Sequence, residues 1–222
     1  MPASHIPASW IPLLAGGTLM AGILSALAFA AGHAHSAGVL KMLAATGYVA
    51  TALAAGAVET LYGRVLLAGL ALCWAGDLLL IPRGRGPAFL GGVAAFLLGH
   101  LAYAAAFVVH GVNLEWTFAA AIAAALAGWR VLRWIEGHRV PPGLRAPVHG
   151  YVAAISAMVA LSVGAGAAGG PWIVPAGAVA FMASDVLVAR ERFVEATAAN
   201  TLVGLPLYFL AQALLALSVT GR

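Results

Sequence analysis

Gly164-Ala165-Gly166-Ala167-Ala168-Gly169-Gly170-Pro171 interrupts residues 146–184, a segment with no Asp, Glu, Lys or Arg. A helix needs about 20 apolar residues to cross a bilayer. The segment is too long for one span, and the Gly-rich break closed by proline divides it into two. Carried outward in both directions, the same use of charge gaps and Gly/Pro punctuation predicts eight spans. They fall at approximately 10–31, 41–58, 62–82, 87–110, 115–134, 146–165, 172–189 and 200–220. The fifth carries the weakest signal, because Arg130 and Arg133 must snorkel from its end. Seven spans result if that segment lies in the interface.

Composition agrees with that division. Hydrophobic residues fill 63% of the 222 positions, charged residues fill 8%, and mean hydropathy is +0.99. A soluble domain carries roughly 25% charged residues. The chain therefore reads as an all-α integral membrane protein with one polytopic domain over residues 1–222. Its net charge of +4 points to arginines anchoring loops, not to nucleic-acid binding. The single Cys73 excludes an internal disulfide framework. The first apolar run has no basic segment before it and reads as a first span, not a signal peptide.

Orientation follows from the basic residues. With eight spans, Lys41, Arg83, Arg85, Arg130, Arg133, Arg139, Arg145, Arg190 and Arg192 share one side, while Arg64 and Arg222 occupy the other. Nine against two predicts that both termini are non-cytoplasmic and that the protein is multi-pass in the inner (cytoplasmic) membrane.

Two aspartates interrupt the apolar runs: Asp77 in Gly76-Asp77-Leu78-Leu79-Leu80 and Asp185 in Ser184-Asp185-Val186-Leu187-Val188. An ionisable residue inside a span costs several kcal/mol and marks a functional site by default. Two carboxyls sharing a low-dielectric site do not both ionise easily, so the pair offers an acid and a base. The aspartates stand 108 positions apart in similar strings. This suggests a weak repeat of roughly 1–112 and 113–222 with both helices running the same way. A ruler of 1.5 Å per residue puts Asp77, Asp185 and Tyr151 at one level beneath the cytoplasmic interface. Lys41 and Asn200 fall at the rim on that ruler, and His100, Tyr208 and Gln212 about 10 Å deeper, away from Asp77. The expectation is that the two carboxyls converge within about 7 Å. Tyr208 and Gln212 share a face at i, i+4, as do His100 and Tyr103 at i, i+3. Substrate contact competes there with interhelical hydrogen bonding. His33 and His35 lack a nearby third ligand and read as a solvated loop, with no metal site.

The chain resembles the YhhN-like lysoplasmalogenases. The resemblance runs through Gly76-Asp77-Leu78-Leu79-Leu80, Pro82-Arg83-Gly84-Arg85, and Phe96 to Tyr103 with His100. It continues through Gly177 to Asp185 with Ser184, then Arg192-Phe193, Asn200, and Tyr208-Phe209-Leu210-Ala211-Gln212. One departure is that Lys41 precedes Met42 where the family often has Lys-Pro. The resemblance implies eight transmembrane helices and hydrolysis of the vinyl ether of lysoplasmalogens. On this reading Asp77 and Asp185 are catalytic, and Lys41, His100, Tyr103, Tyr151, Ser184, Asn200, Tyr208 and Gln212 bind substrate. The partners would be a lysophospholipid substrate and membrane lipids, with no nucleic acid and no cofactor. The chemistry suits a carboxyl pair: one acid protonates the enol-ether β-carbon, and one anion stabilises the oxocarbenium ion and activates water. Two rivals remain open at this stage: a proton-coupled transporter using the same aspartates, and a non-catalytic lipid-binding protein.

Overall fold

The structure, a computed structural model, describes residue 7 and residues 9–82, 86–138 and 140–220. Those residues form eight helices: α1 (Trp10–Ala30), α2 (Ala34–Ala54), α3 (Leu61–Leu79), α4 (Pro87–His110), α5 (Leu114–Glu136), α6 (Pro142–Ala167), α7 (Ile173–Ala189) and α8 (Ala198–Leu217). A π-helical turn at Arg190–Val194 continues α7. All eight are long and apolar enough to cross a membrane, the seventh counted through Val194. The protein is a multi-pass helical membrane bundle. The fifth segment is a full-length helix, so the eight-span division holds.

Local chemistry sets the helix ends. Thr60 accepts a hydrogen bond from the Gly63 N–H at the head of α3, and Asn113 accepts from Trp116 N–H at the head of α5. Pro87 and Pro142 open α4 and α6, where a missing N–H costs nothing. The break between α6 and α7 turns at Gly169, whose φ of 97° lies in the left-handed region that favours glycine. The sequence placed the start of the second span at 41, but α2 begins at Ala34. Lys41, a rim charge on the depth ruler, lies two turns inside the helix.

Neighbours in sequence pack as antiparallel pairs: α1 on α2, α3 on α4, α5 on α6 and α7 on α8. The chain closes through α1 on α8 and through α6 against both α4 and α7, with α2 and α3 also reaching α8. α5 lies outermost, against α6 and the π-turn. Small residues bring α3 and α4 together: a Cβ at Gly76 would meet the Phe96 ring at 2.8 Å, and one at Gly99 the Cys73 sulfur at 2.7 Å. Lys41, Arg130, Arg133, Arg145, Arg190 and Arg192 all lie toward the end where α3 and α7 finish, and Arg64 toward the other. Arg83, Gly84, Arg85, Arg139 and Arg222, on which part of the orientation count and one motif rest, lie outside the described residues.

Candidate functional site

A cavity of about 550 Å³ opens at that charged end, lined by parts of all eight helices. Both aspartates line it. Asp77 sits in the last turn of α3 and is buried, with every partner a donor. Lys41 Nζ forms an ion pair with its Oδ1 at 3.0 Å, and also donates to the Asp77 backbone carbonyl at 3.2 Å. Tyr48 and Tyr208 donate their hydroxyls to Oδ2 at 3.1 and 2.6 Å. Two phenols and an ammonium are what a buried carboxylate needs to hold its charge away from water.

Asp185, on α7, has a sparser setting. Tyr151 donates to its Oδ2 at 2.8 Å. The buried His100 brings Nε2 to 3.6 Å of the same oxygen, without closing a hydrogen bond. Among the described residues no lysine or arginine forms an ion pair with it. Its side chain is 18% exposed against 1% for Asp77, so Asp185 is the carboxyl that faces the cavity. No hydrogen bond joins the two aspartates. Phe181 stands between their partner sets, with its ring centroid 4.5 Å from His100 and 5.3 Å from Tyr208.

A chain of hydrogen bonds runs inward from Asp77. Tyr208 spends its proton on Asp77, so its oxygen accepts from Gln212 Nε2 at 2.9 Å. Gln212 Oε1 then accepts from Tyr103 at 2.7 Å. Tyr103 and Gln212 are fully buried, so their polar atoms serve this chain.

The expected site residues thus separate into groups. Tyr208 reaches Asp77, and His100 and Tyr151 reach Asp185. The straight depth ruler is corrected here, because it set His100 and Tyr208 well below the aspartates. Helix side chains lean toward the helix N-terminus. α3 and α7 finish at the charged end, so their aspartates lean inward. α4 and α8 begin there, so His100 and Tyr208 lean outward to meet them. Lys41 was expected at the rim; it is buried against Asp77 instead. Asn200 lines the cavity but uses its amide on the turn before α8: Oδ1 accepts from Arg190, and Nδ2 donates to Glu191 and to the Glu195 carbonyl. Ser184 likewise lines the cavity while donating its hydroxyl to the Phe181 carbonyl at 2.8 Å. His33 and His35 are exposed near the start of α2. Tyr48 was missed, although it lies seven positions after Lys41 and so on the same helical face.

Comparison with known proteins agrees with the resemblance. The profile described as the YhhN family matches residues 36–219. Proteins named lysoplasmalogenase from Mycobacterium bovis and Mycobacterium tuberculosis (strain CDC 1551 / Oshkosh) are each 33% identical over 207 residues. Those alignments cover 85% of this chain and 78% of each relative. No solved structure matches the chain significantly.

Proposed function

The chain belongs to the YhhN family, and from that premise we propose that it hydrolyses the vinyl ether bond of lysoplasmalogens. The products are a fatty aldehyde and a glycerophospho-headgroup. The observation that carries the mechanism is the unequal setting of two aspartates on one cavity: Asp77 is locked by Lys41 and two phenols, and Asp185 is open to the cavity. The positive-inside bias opens that cavity toward the cytoplasmic leaflet.

Asp185 carries the proton. Its carboxylic acid transfers it to the β-carbon of the enol ether, the carbon–carbon double bond supplying the electron pair. The product is an oxocarbenium ion and the Asp185 carboxylate. The fixed charge of Asp77 stabilises that cation electrostatically without reorganising, because its donors already hold it in place. Water adds to the oxocarbenium carbon, and its released proton returns the site to its starting charge through the carboxylates. The hemiacetal collapses to aldehyde and alcohol, and Asp185 is protonated again. Tyr151 orients Asp185, and His100 lies a small rotation from hydrogen-bonding the same oxygen.

Purified protein in detergent, with no ion gradient, tests this reading. Lysoplasmalogen turned over in deuterium oxide should give aldehyde with one deuterium at the carbon next to the carbonyl, trapped by reduction. Turnover should also slow in that solvent, because proton transfer to carbon is the demanding step. The saturated ether analogue should bind without reacting. Aldehyde without that label, or no aldehyde at all, rules out the mechanism.

A further inference from the structure

A hydrogen bond between two hydroxyls can run either way, because each oxygen both donates and accepts. An amide has no such freedom: its oxygen only accepts and its nitrogen only donates. In the chain behind Asp77, Gln212 is the member whose two ends differ in this way. Its Oε1 accepts from Tyr103 at 2.7 Å, so Nε2 is the end that meets Tyr208, donating at 2.9 Å. That leaves the Tyr208 hydrogen for Asp77 Oδ2 at 2.6 Å. Tyr103 has a second acceptor in the Cys73 sulfur, but at 3.6 Å it is the weaker one. Every bond in the series points toward one carboxyl oxygen, and aligned bonds polarise one another in a low-dielectric interior. Tyr103 and Gln212 are fully buried, and neither is among the residues that line the cavity.

The partner of the other aspartate has no such amide behind it. Gln212 stands four positions after Tyr208, one turn along α8. The place four positions after His100 on α4 is Ala104, and Ala104 precedes Gln212 by 108 positions, as His100 precedes Tyr208. Ala104 is buried too, but its side chain offers nothing polar. Resting on the hydrolase reading above, we propose that Gln212, held by Tyr103, is a positioning residue that fixes the direction of hydrogen bonding into Asp77. It thereby keeps this carboxyl as the anion that stabilises the oxocarbenium ion. Lys41 supplies the counter-charge at Oδ1, and Gln212 governs Oδ2. With the amide in place, Tyr208 cannot turn its hydrogen inward without setting it against the Gln212 N–H. Oδ2 therefore always meets a donor, and that bond is in place before the cation forms. Neither Gln212 nor Tyr103 touches the reacting atoms, and both act through Tyr208.

Variants of the full chain, purified in detergent and assayed with lysoplasmalogen, test this. Gln212→Met keeps the length and removes both polar ends. It should lower kcat roughly fivefold, as for one lost hydrogen bond, and leave KM within about twofold. Tyr103→Phe should lower kcat less, because it only unties the amide oxygen. The double variant should be no slower than Gln212→Met alone, whereas independent packing defects would multiply. Gln212→Glu, compared with wild type at the same acid pH, should recover most of the turnover, because a protonated carboxyl again offers one donor and one acceptor. A raised KM at unchanged kcat would make Gln212 a substrate contact and overturn the proposal. So would multiplied losses in the double variant, or a Glu variant as slow as the Met variant. Infrared difference spectra against Asp77→Asn read the Asp77 carboxylate without turnover. Its stretching bands should shift in Gln212→Met and return in Gln212→Glu at acid pH. If Gln212→Met does not fold, Tyr103→Phe replaces it in both measurements, and wild-type kcat with unmoved bands overturns the proposal. Aldehyde release by wild type reports on the hydrolase reading separately. Shifted bands without any aldehyde would defeat that reading and leave the Gln212 assignment standing, whereas aldehyde release with unmoved bands and undiminished kcat would defeat the assignment alone.

Discussion

The two aspartates occupy matching places and live in different surroundings. Asp77 is on α3 and receives a phenol from α2 (Tyr48) and another from α8 (Tyr208). Asp185 is on α7, receives a phenol from α6 (Tyr151), and approaches a ring on α4 (His100). Asp185 follows Asp77 by 108 positions, and Tyr208 follows His100 by the same 108. Each aspartate thus draws one partner from its own half and one from the other. That is the pattern a duplicated four-helix unit would leave. The difference is a single cation: Lys41 locks Asp77, and Asp185 has only a nearby imidazole. Placing a lysine beside only one of two buried carboxyls is a simple way to turn two like residues into an anion and a proton donor.

The largest effects should come from neutralising each carboxyl in turn. Asp185→Asn should lower turnover by about 100- to 10,000-fold, the range for a lost general acid, and leave thermal stability unchanged. Asp77→Asn should lose activity too, but it should also destabilise. The amide leaves the Lys41 ammonium buried without its counter-ion, a defect of about 3–5 kcal/mol. Adding Lys41→Met to Asp77→Asn should recover much of the melting temperature and none of the activity. Identical stabilities for the two asparagine variants would erase the distinction between the locked carboxyl and the open one.

Phenol removal gives smaller effects and sharpens the same contrast. Tyr208→Phe and Tyr151→Phe each delete one hydrogen bond to a carboxyl, so each should slow turnover by roughly tenfold. Only Tyr208 also accepts from Gln212. Tyr208→Phe should therefore leave the buried Gln212 Nε2 unsatisfied and cost about 1–3 kcal/mol of stability, against little for Tyr151→Phe. Paired melting curves and initial rates read both outcomes. Equal stability losses would mean that the inward hydrogen-bond chain has no structural weight.

Much of this was legible in the sequence, because hydrophobic length, charge gaps and Gly/Pro breaks are direct consequences of the bilayer as solvent. The eight helices and the two aspartates come from that physics. What the sequence concealed was direction. A linear ruler treats Asp77, Tyr208 and His100 as depths, whereas side chains on antiparallel helices lean toward one another across that difference. It also read Lys41 as a helix boundary, since a lone charge in an apolar chain ordinarily marks an end. Only the ion pair with Asp77 explains why this charge is tolerated two turns inside α2. Tyr48 was hidden for the same reason, because its meaning depends on a partner 29 positions away.

The smallest prediction asks whether the two halves pack alike beneath their unequal sites. Gly69 on α3 and Gly177 on α7 are again 108 positions apart. A Cβ at Gly69 would come within 2.6 Å of the Tyr103 ring, and one at Gly177 within 3.2 Å of the Ala211 carbonyl oxygen. Tyr103 and Ala211 are themselves 108 apart, so each glycine meets the corresponding place on the next helix. The first contact is too short for a real Cβ, and Tyr103 is fully buried and bonded to Gln212, so the ring cannot swing aside without breaking the chain to Tyr208. The second is a close contact that a few tenths of an ångström would relieve. Gly69→Ala should therefore cost about 1–3 kcal/mol, in the range of overpacked cores, and Gly177→Ala distinctly less. Through Tyr103, Gln212 and Tyr208 the first substitution should also slow turnover by a few-fold. The second should not, because no comparable chain leads from Ala211 to Asp185. Melting temperatures and rates of the two alanine variants, measured side by side, decide it. A Gly177→Ala variant as damaged as Gly69→Ala would show that the halves are more alike in packing than their two carboxyl sites suggest.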